Sequence, residues 1–166
     1  MSPIRAGVLV ALLILVLDQG TKTAVLAWSA NWPDPTMELT SYLNFVVLWN
    51  AGISYGLFPQ GETGRWVLVA IKVAASLLFA VWLARTQRLL EACALGLLIG
   101  GAIGNAVDRM VYGAVFDFVS LHAFGYHWYV FNVADVAVVV GVVVLLYDAI
   151  FTRASKTPPS DASHKG

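Results

Sequence analysis

Two aspartates set the chemistry open to this sequence. Asp117 stands in VFDFV and Asp135 in FNVADVAVVV, each among apolar neighbours. Neither has a cation beside it on its own element, so each alone would be a costly carboxylate in an apolar setting. If the segment carrying Asp117 folds back over the one carrying Asp135, the two can meet. Carboxylates a few ångströms apart cannot both ionise, so they share one proton. One is then a base that activates water, and the other an acid that protonates a carbonyl oxygen or a leaving amine. Such hydrolysis is of the aspartic type and needs no cofactor.

Other polar residues recur at helical spacing. Asp18 and Lys22 are i,i+4, able to pair on one face as a structural ion pair or as part of a site. Asn105, Asp108 and Arg109 form a second stripe, and Asn132 with Asp135 a third. Asp108 and Arg109 could make an interfacial pair that ends a span. Asn50, in WNAGISYG, could build a turn with Gly52 or belong to the site. Lys72 lies a turn or more inside an apolar run and can snorkel outward. Glu91 and Asp148 are expected to be solvated near span ends, and His122 and His127 to be interfacial. No His/Cys/carboxylate spacing resembles a metal motif, and Ser54 has no evident general base. The single Cys93 excludes an internal disulfide and reads as a packing residue.

The elements that must position these groups are membrane spans. The chain is 59% hydrophobic and 12% charged, against about 25% charged for a soluble domain. Its zero formal net charge leaves no basic surface for nucleic acid. Four runs approach the roughly 20 apolar residues a span requires: about 6–28, 66–84, 89–107 and 131–151. Arg5 and the run after it imitate a cleaved leader, but the apolar character resumes after Lys22 and three more runs follow. Arg5, Arg85, Arg88, Arg153, Lys156 and Lys165 fall at the termini and the short link between the second and third runs. Positive charge stays inside, so both termini should be cytoplasmic and the two long loops should face outward. Those loops, at 36–58 and 114–131, are β-branched and aromatic and read as strands; FPQGETGRW reads as a turn or short interfacial helix. The expected fold is therefore membrane α-helical, with four transmembrane helices and a small outward-facing β-cradle. Residues 1–151 form one domain, and the polar tail 152–166 is expected to be disordered.

Depth is the sharpest physical signal. Ala6 to Leu17 spans about 18 Å, which puts Asp18 in the outer half of a roughly 30 Å core. Asn105 and Asp135 each lie one turn, about 6 Å, below the outer ends of their spans. Three spans thus put polar residues at one outward level, which accidental polar substitutions would not do.

In order along the chain, DQGTK, WNAGISYGLF, GGAIGNAVDR, GAVFDF and FNVAD resemble the motifs of the bacterial lipoprotein signal peptidases, the type II signal peptidases. Each fragment is weak alone; five in order on a four-span frame are specific. The resemblance covers about 18–136. It implies a protease of the bacterial inner membrane, with its active site toward the periplasmic face. The substrate would be a prolipoprotein carrying diacylglyceryl on its lipobox cysteine, cut just before that residue, and inhibitors of the globomycin type should bind. Asp117 and Asp135 map to the catalytic dyad. Asn50, Gly52, Asn105, Arg109 and Asn132 map to substrate-contacting or bracing positions, and Asp18, Lys22 and Asp108 to supporting ones. The partners implied are substrate and membrane lipid, with no metal or cofactor, and a monomer is expected. Tyr129 stands where many members have proline, and Ser54-Tyr55 where Ala-Phe is common. Both departures touch loop shape or pocket lining, not the acids.

Rival readings are a small proton- or ion-coupled transporter using Asp18, Lys22 and Asp135, and a non-catalytic assembly factor. A presenilin-type protease would need a G-x-G-D signature, which the sequence lacks. A transporter would favour internal repeats and polar groups at mid-membrane, and neither is present. An assembly factor should tolerate Asp117→Asn.

Overall fold

The computed structural model describes residues 1–52 and 61–154, with the side chains of His127 and of 152–154 excepted. Ser54, Tyr55, Gly56 and most of the tail lie outside the described residues. The described chain runs α1 (Pro3–Ser29), β1 (Thr36–Thr40), β2 (Leu43–Asn50), α2 (Glu62–Arg85), α3 (Leu89–Tyr112), β3 (Val115–Ala123), β4 (Tyr126–His127) and α4 (Val133–Ala154). All four helices are long and apolar enough to cross a membrane.

Helix ends follow local chemistry. Pro3 opens α1 where its missing N–H costs nothing. Gly113 closes α3 in the left-handed conformation, its N–H on Arg109 O. This end lies past the expected 107, so Asp108 and Arg109 sit inside the helix and do not terminate it. The second helix begins at Glu62, within the stretch expected as a turn. The fourth begins at Val133, two residues later than expected, because Phe131 pairs with a strand instead.

α3 is the hub. Two-thirds of its span (67%) is buried inside the protein, against 17–22% for the other three, so it is surrounded by protein and they face lipid on their outer sides. Leu12, Leu13 and Val16 of α1, Leu77 and Leu78 of α2, and Val139 and Val143 of α4 form those outward faces. Lipid tails are as apolar as these side chains, so helix association rests on close packing of small residues. A Cβ on Gly96 would stand 2.3 Å from Gly7 O, and one on Gly100 2.6 Å from Ala11 O, so α1 and α3 meet backbone to backbone.

Beyond the helices lies one antiparallel sheet in the order β1-β2-β3-β4. Both long loops contribute to it. Leu48 faces Asp117 and Asn50 faces Val115 across β2–β3, beyond an irregularity between Phe45 and Leu48. Phe124 and Gly125 both take positive φ (51° and 82°), the two-residue hairpin geometry that matches strand twist. The sheet sits on the end of α1 through Val25, Phe116 and Phe118, with Trp28, Phe45 and Phe118 meeting edge to face. Phe131 exchanges backbone hydrogen bonds with Val119, which fixes where α4 starts.

The opposite end holds a correction. Asp148, expected to be solvated, is buried, and Arg88 grips both its oxygens. Glu91 accepts hydrogen bonds from Trp82 Nε1 and Thr86 Oγ1. The turn between α2 and α3 is thereby fastened to α4.

Candidate active site

The start of α4 is a capping box. Asn132 is the N-cap: its Oδ1 accepts the Asp135 N–H (3.0 Å), and Asp135 Oδ2 accepts the Asn132 N–H (3.2 Å). The FNVAD spacing therefore starts a helix and fixes a carboxylate at once. The other amide proton donor of Asn132 is turned across the site. Its Nδ2 donates to Asp117 Oδ1 at 2.6 Å and reaches Asn105 Oδ1 at 3.2 Å. A single residue, itself fully buried, thus bonds both carboxylates.

Each carboxylate has a second clamp. Asp117, on β3 and buried, accepts Asn50 Nδ2 on Oδ2 at 3.0 Å. Asn50 is aimed by Gly52, whose N–H donates to Asn50 Oδ1 at 3.2 Å. Asp135 Oδ1 accepts Asn105 Nδ2 at 2.9 Å. Burial pushes the Asp117 carboxyl up to about 6 from an ordinary 3.8, and the negative field of Asp135 adds to this. The Asn50 and Asn132 hydrogen bonds and the Lys22 charge oppose it.

Beneath lies a buried ionic knot. Lys22 Nζ is 2.8 Å from both Asp18 Oδ2 and Asp108 Oδ2, and 3.2 Å from Asn105 Oδ1. The expected Asp108–Arg109 pair does not form; Asp108 turns inward to Lys22. Two carboxylates on one lysine leave one negative charge over, and backbone N–H groups meet it. Asp18 Oδ1 accepts the Ala134 N–H (2.9 Å), at the positive end of α4. Asp108 Oδ2 accepts the Phe116 N–H (3.1 Å), one residue before Asp117. The knot therefore positions both site carboxylates through the backbone beside them. Gly104 makes room for it: a Cβ there would stand 2.5 Å from Asp18 Oδ2.

Gln19 was not among the residues singled out by type and spacing. Its Nε2 lies within hydrogen-bonding distance of Asp18, Asp108 and Gly104 O. Two of these partners, Gly104 and Asp108, are 85 and 89 residues away on another helix, which no spacing rule reaches. Arg109 sits in the field of Asp117, Asp135 and Asp108. Its one hydrogen bond among the described residues is from Nη1 to its own helix, at Asn105 O. Beside Asp135 opens an apolar cavity of about 240 Å³, lined by Trp128, Tyr129, Phe131, Val136, Val139 and Val140. Among the described residues no group of His, Cys, Asp or Glu could hold a metal ion.

A buried Asp117 and a half-buried Asp135 sharing Asn132, an adjoining apolar cavity and a membrane frame are suited to hydrolysis of a bond held at the membrane surface. The family model described as signal peptidase (SPase) II matches residues 10–151. A lipoprotein signal peptidase of Methylobacterium radiotolerans is 48% identical over 163 residues, covering 98% of this chain and 95% of its own. One of Rhodopseudomonas palustris is 48% identical, over 96% of this chain and all (100%) of its own. A solved bacterial membrane enzyme superposes with a TM-score of 0.77 at 25% identity, covering 96% of this chain and 94% of its own.

Proposed function

The chain belongs to the signal peptidase II family, and from that premise we propose that it removes the signal peptide of prolipoproteins by means of an Asp117–Asp135 dyad. The observation that carries the reading is Asn132, bonded to both carboxylates in a buried site. A dyad bearing one proton holds a water between its members. The ionised member takes a proton from that water as its oxygen attacks the scissile carbonyl carbon. The protonated member gives its proton to the carbonyl oxygen. Collapse of the tetrahedral species breaks the C–N bond, and the amine leaves protonated. An acid held near 6 is suited to this exchange, since it gives up and regains a proton near neutral pH.

The remaining residues hold geometry. Asn50, oriented by Gly52, and Asn105 each bond one oxygen of a carboxylate whose other oxygen is bonded by Asn132, so both carboxyls are held in place and keep a further lone pair for water and proton. Asp18, Lys22 and Asp108 fix the backbone carrying them. Arg109 faces the substrate side. The substrate is a prolipoprotein with diacylglyceryl on its lipobox cysteine. Its acyl chains stay in lipid, so its scissile bond lies near the surface, at the level of the dyad. The apolar cavity beside Asp135 suits the hydrophobic residues flanking that bond, and globomycin-type inhibitors would compete there. The enzyme acts as a monomer in the bacterial inner membrane, with residues 1–151 as one domain, both termini cytoplasmic and the site periplasmic.

The test is cleavage of a diacylglyceryl-modified prolipoprotein by purified protein in detergent, read by gel shift. Wild type should cleave, and folded Asp117→Asn and Asp135→Asn should not. Cleavage surviving either change would make that aspartate structural and end the dyad mechanism.

A further inference from the structure

Arg109 is 7% exposed, yet only one of its five N–H donors is used among the described residues. Its Nε is buried with no acceptor there, and it forms no ion pair there. Buried charged groups in native proteins have partners, so this one points to a ligand.

A second cation approaches from α2. Arg65 donates to Met110 O near the end of α3. Leu68 reaches Gly52, whose Cβ position would be 3.7 Å from Leu68 Cδ1; Gly52 aims Asn50 at Asp117. Lys72 follows seven residues after Arg65 and four after Leu68, on the same helix face. Helical side chains lean toward the N-terminus, so its ammonium rises toward the level of Leu68. It is half-buried, and the charges acting on it are those of Arg109 and Asp135.

On the peptidase reading, hydrolysis turns a neutral peptide bond into two ions. Water oxygen joins the carbonyl carbon, the C–N bond breaks, and the signal peptide is left with a new terminal carboxylate. A dyad with one proton carries one negative charge, while Arg109 and Lys72 carry two positive ones. With the remaining charge of the Asp18–Lys22–Asp108 knot met by backbone N–H groups, these two cations outnumber the charge of the dyad, and a new terminal carboxylate would match the second.

We infer that Lys72 and Arg109 form a receiving site for the terminal carboxylate of the cleaved signal peptide. The site gives the new anion a partner before the peptide moves into lipid.

The test uses two N-terminally fluorescent apolar peptides of one signal-peptide sequence, one ending in a carboxylate and the other in a carboxamide. Their binding to the full chain in detergent micelles is read by anisotropy. The acid should bind wild type about tenfold more tightly than the amide, as a charge-assisted bond would give. Lys72→Met should remove that preference and Lys72→Arg should keep it. Equal binding to wild type overturns the inference without need of any variant, as does a preference that survives Lys72→Met. Prolipoprotein cleavage by the same preparation separates the failures. Cleavage without acid preference overturns this inference alone; folded wild type that does not cleave overturns the peptidase reading and with it the carboxylate's origin.

Discussion

Asp117 is held by opposed forces, and each can be moved singly. Burial raises its carboxyl to about 6, and the Asn50 hydrogen bond pulls it down. If the protonated dyad is the active form, kcat/KM falls as pH rises through about 6. Asn50→Ala removes a bond that favours the ionised form, so its alkaline limb should move to higher pH. A limb that stays in place or moves down would detach the pH dependence from Asp117. Stability carries the same sign. A carboxyl whose folded value lies above its ordinary 3.8 favours the fold fully below 3.8, and that contribution is lost as pH rises through about 6. Thermal unfolding in detergent should therefore show Asp117→Asn gaining on wild type between pH 4 and pH 8.

Lys22 offers the larger effect at this scale. Lys22→Met leaves Asp18 and Asp108 buried without their cation, a change that costs about 3–5 kcal/mol in buried pairs. A Tm close to wild type would refute its structural role. The Asp18–Lys22 spacing was open to view in the sequence, since i,i+4 is fixed by helix geometry. The third member was not: Asp108 could turn to Arg109 beside it or to Lys22 across the bundle, and only helix packing decides.

At the scale of elements, one short motif both begins α4 and fixes the site. Asn132→Ala should destabilise by about 1 kcal/mol through the lost cap, read as a fall in Tm, and also abolish cleavage, because Asp117 and Asp135 lose their common partner. Loss of stability with full activity would separate the two roles. Gly104 constrains α1 against α3 in the same way. Gly104→Ala places a methyl 2.5 Å from Asp18 Oδ2 and should destabilise by about 1–3 kcal/mol, read as a fall in Tm.

The spans themselves were legible, because crossing hydrocarbon demands long apolar runs and little else imitates four of them. Their ends were less so. α3 passes its expected end because Asp108 is neutralised inside the bundle by Lys22 and not by water. Asp148 was misjudged for the same reason: it is near a helix end, but Arg88 folds over it. The common level of Asp18, Asn105 and Asp135 was readable from rise per residue alone, and the hydrogen bonds of Asn105 join that level into one network.

At the scale of the whole molecule, the proposed orientation, with positive charge inside, can be checked directly. Tyr126, 82% exposed in the hairpin of the sheet, should accept a membrane-impermeant maleimide from outside intact cells as Tyr126→Cys, with Cys93 removed. Labelling only after the inner membrane is opened would invert the topology.

The fold also bears on how the protein comes into being. Asp135 lies on α4, which is made after the other three helices, and Asp117 is bonded to Asn132, the residue that caps that helix. Until that final segment enters the bilayer and its first turn closes on Asp18, no half of the chain holds a working pair of acids. If the proposed dyad does the chemistry, a newly made chain is inert while its first three helices insert, beside a translocon crowded with other apolar segments, and acquires its activity only with α4.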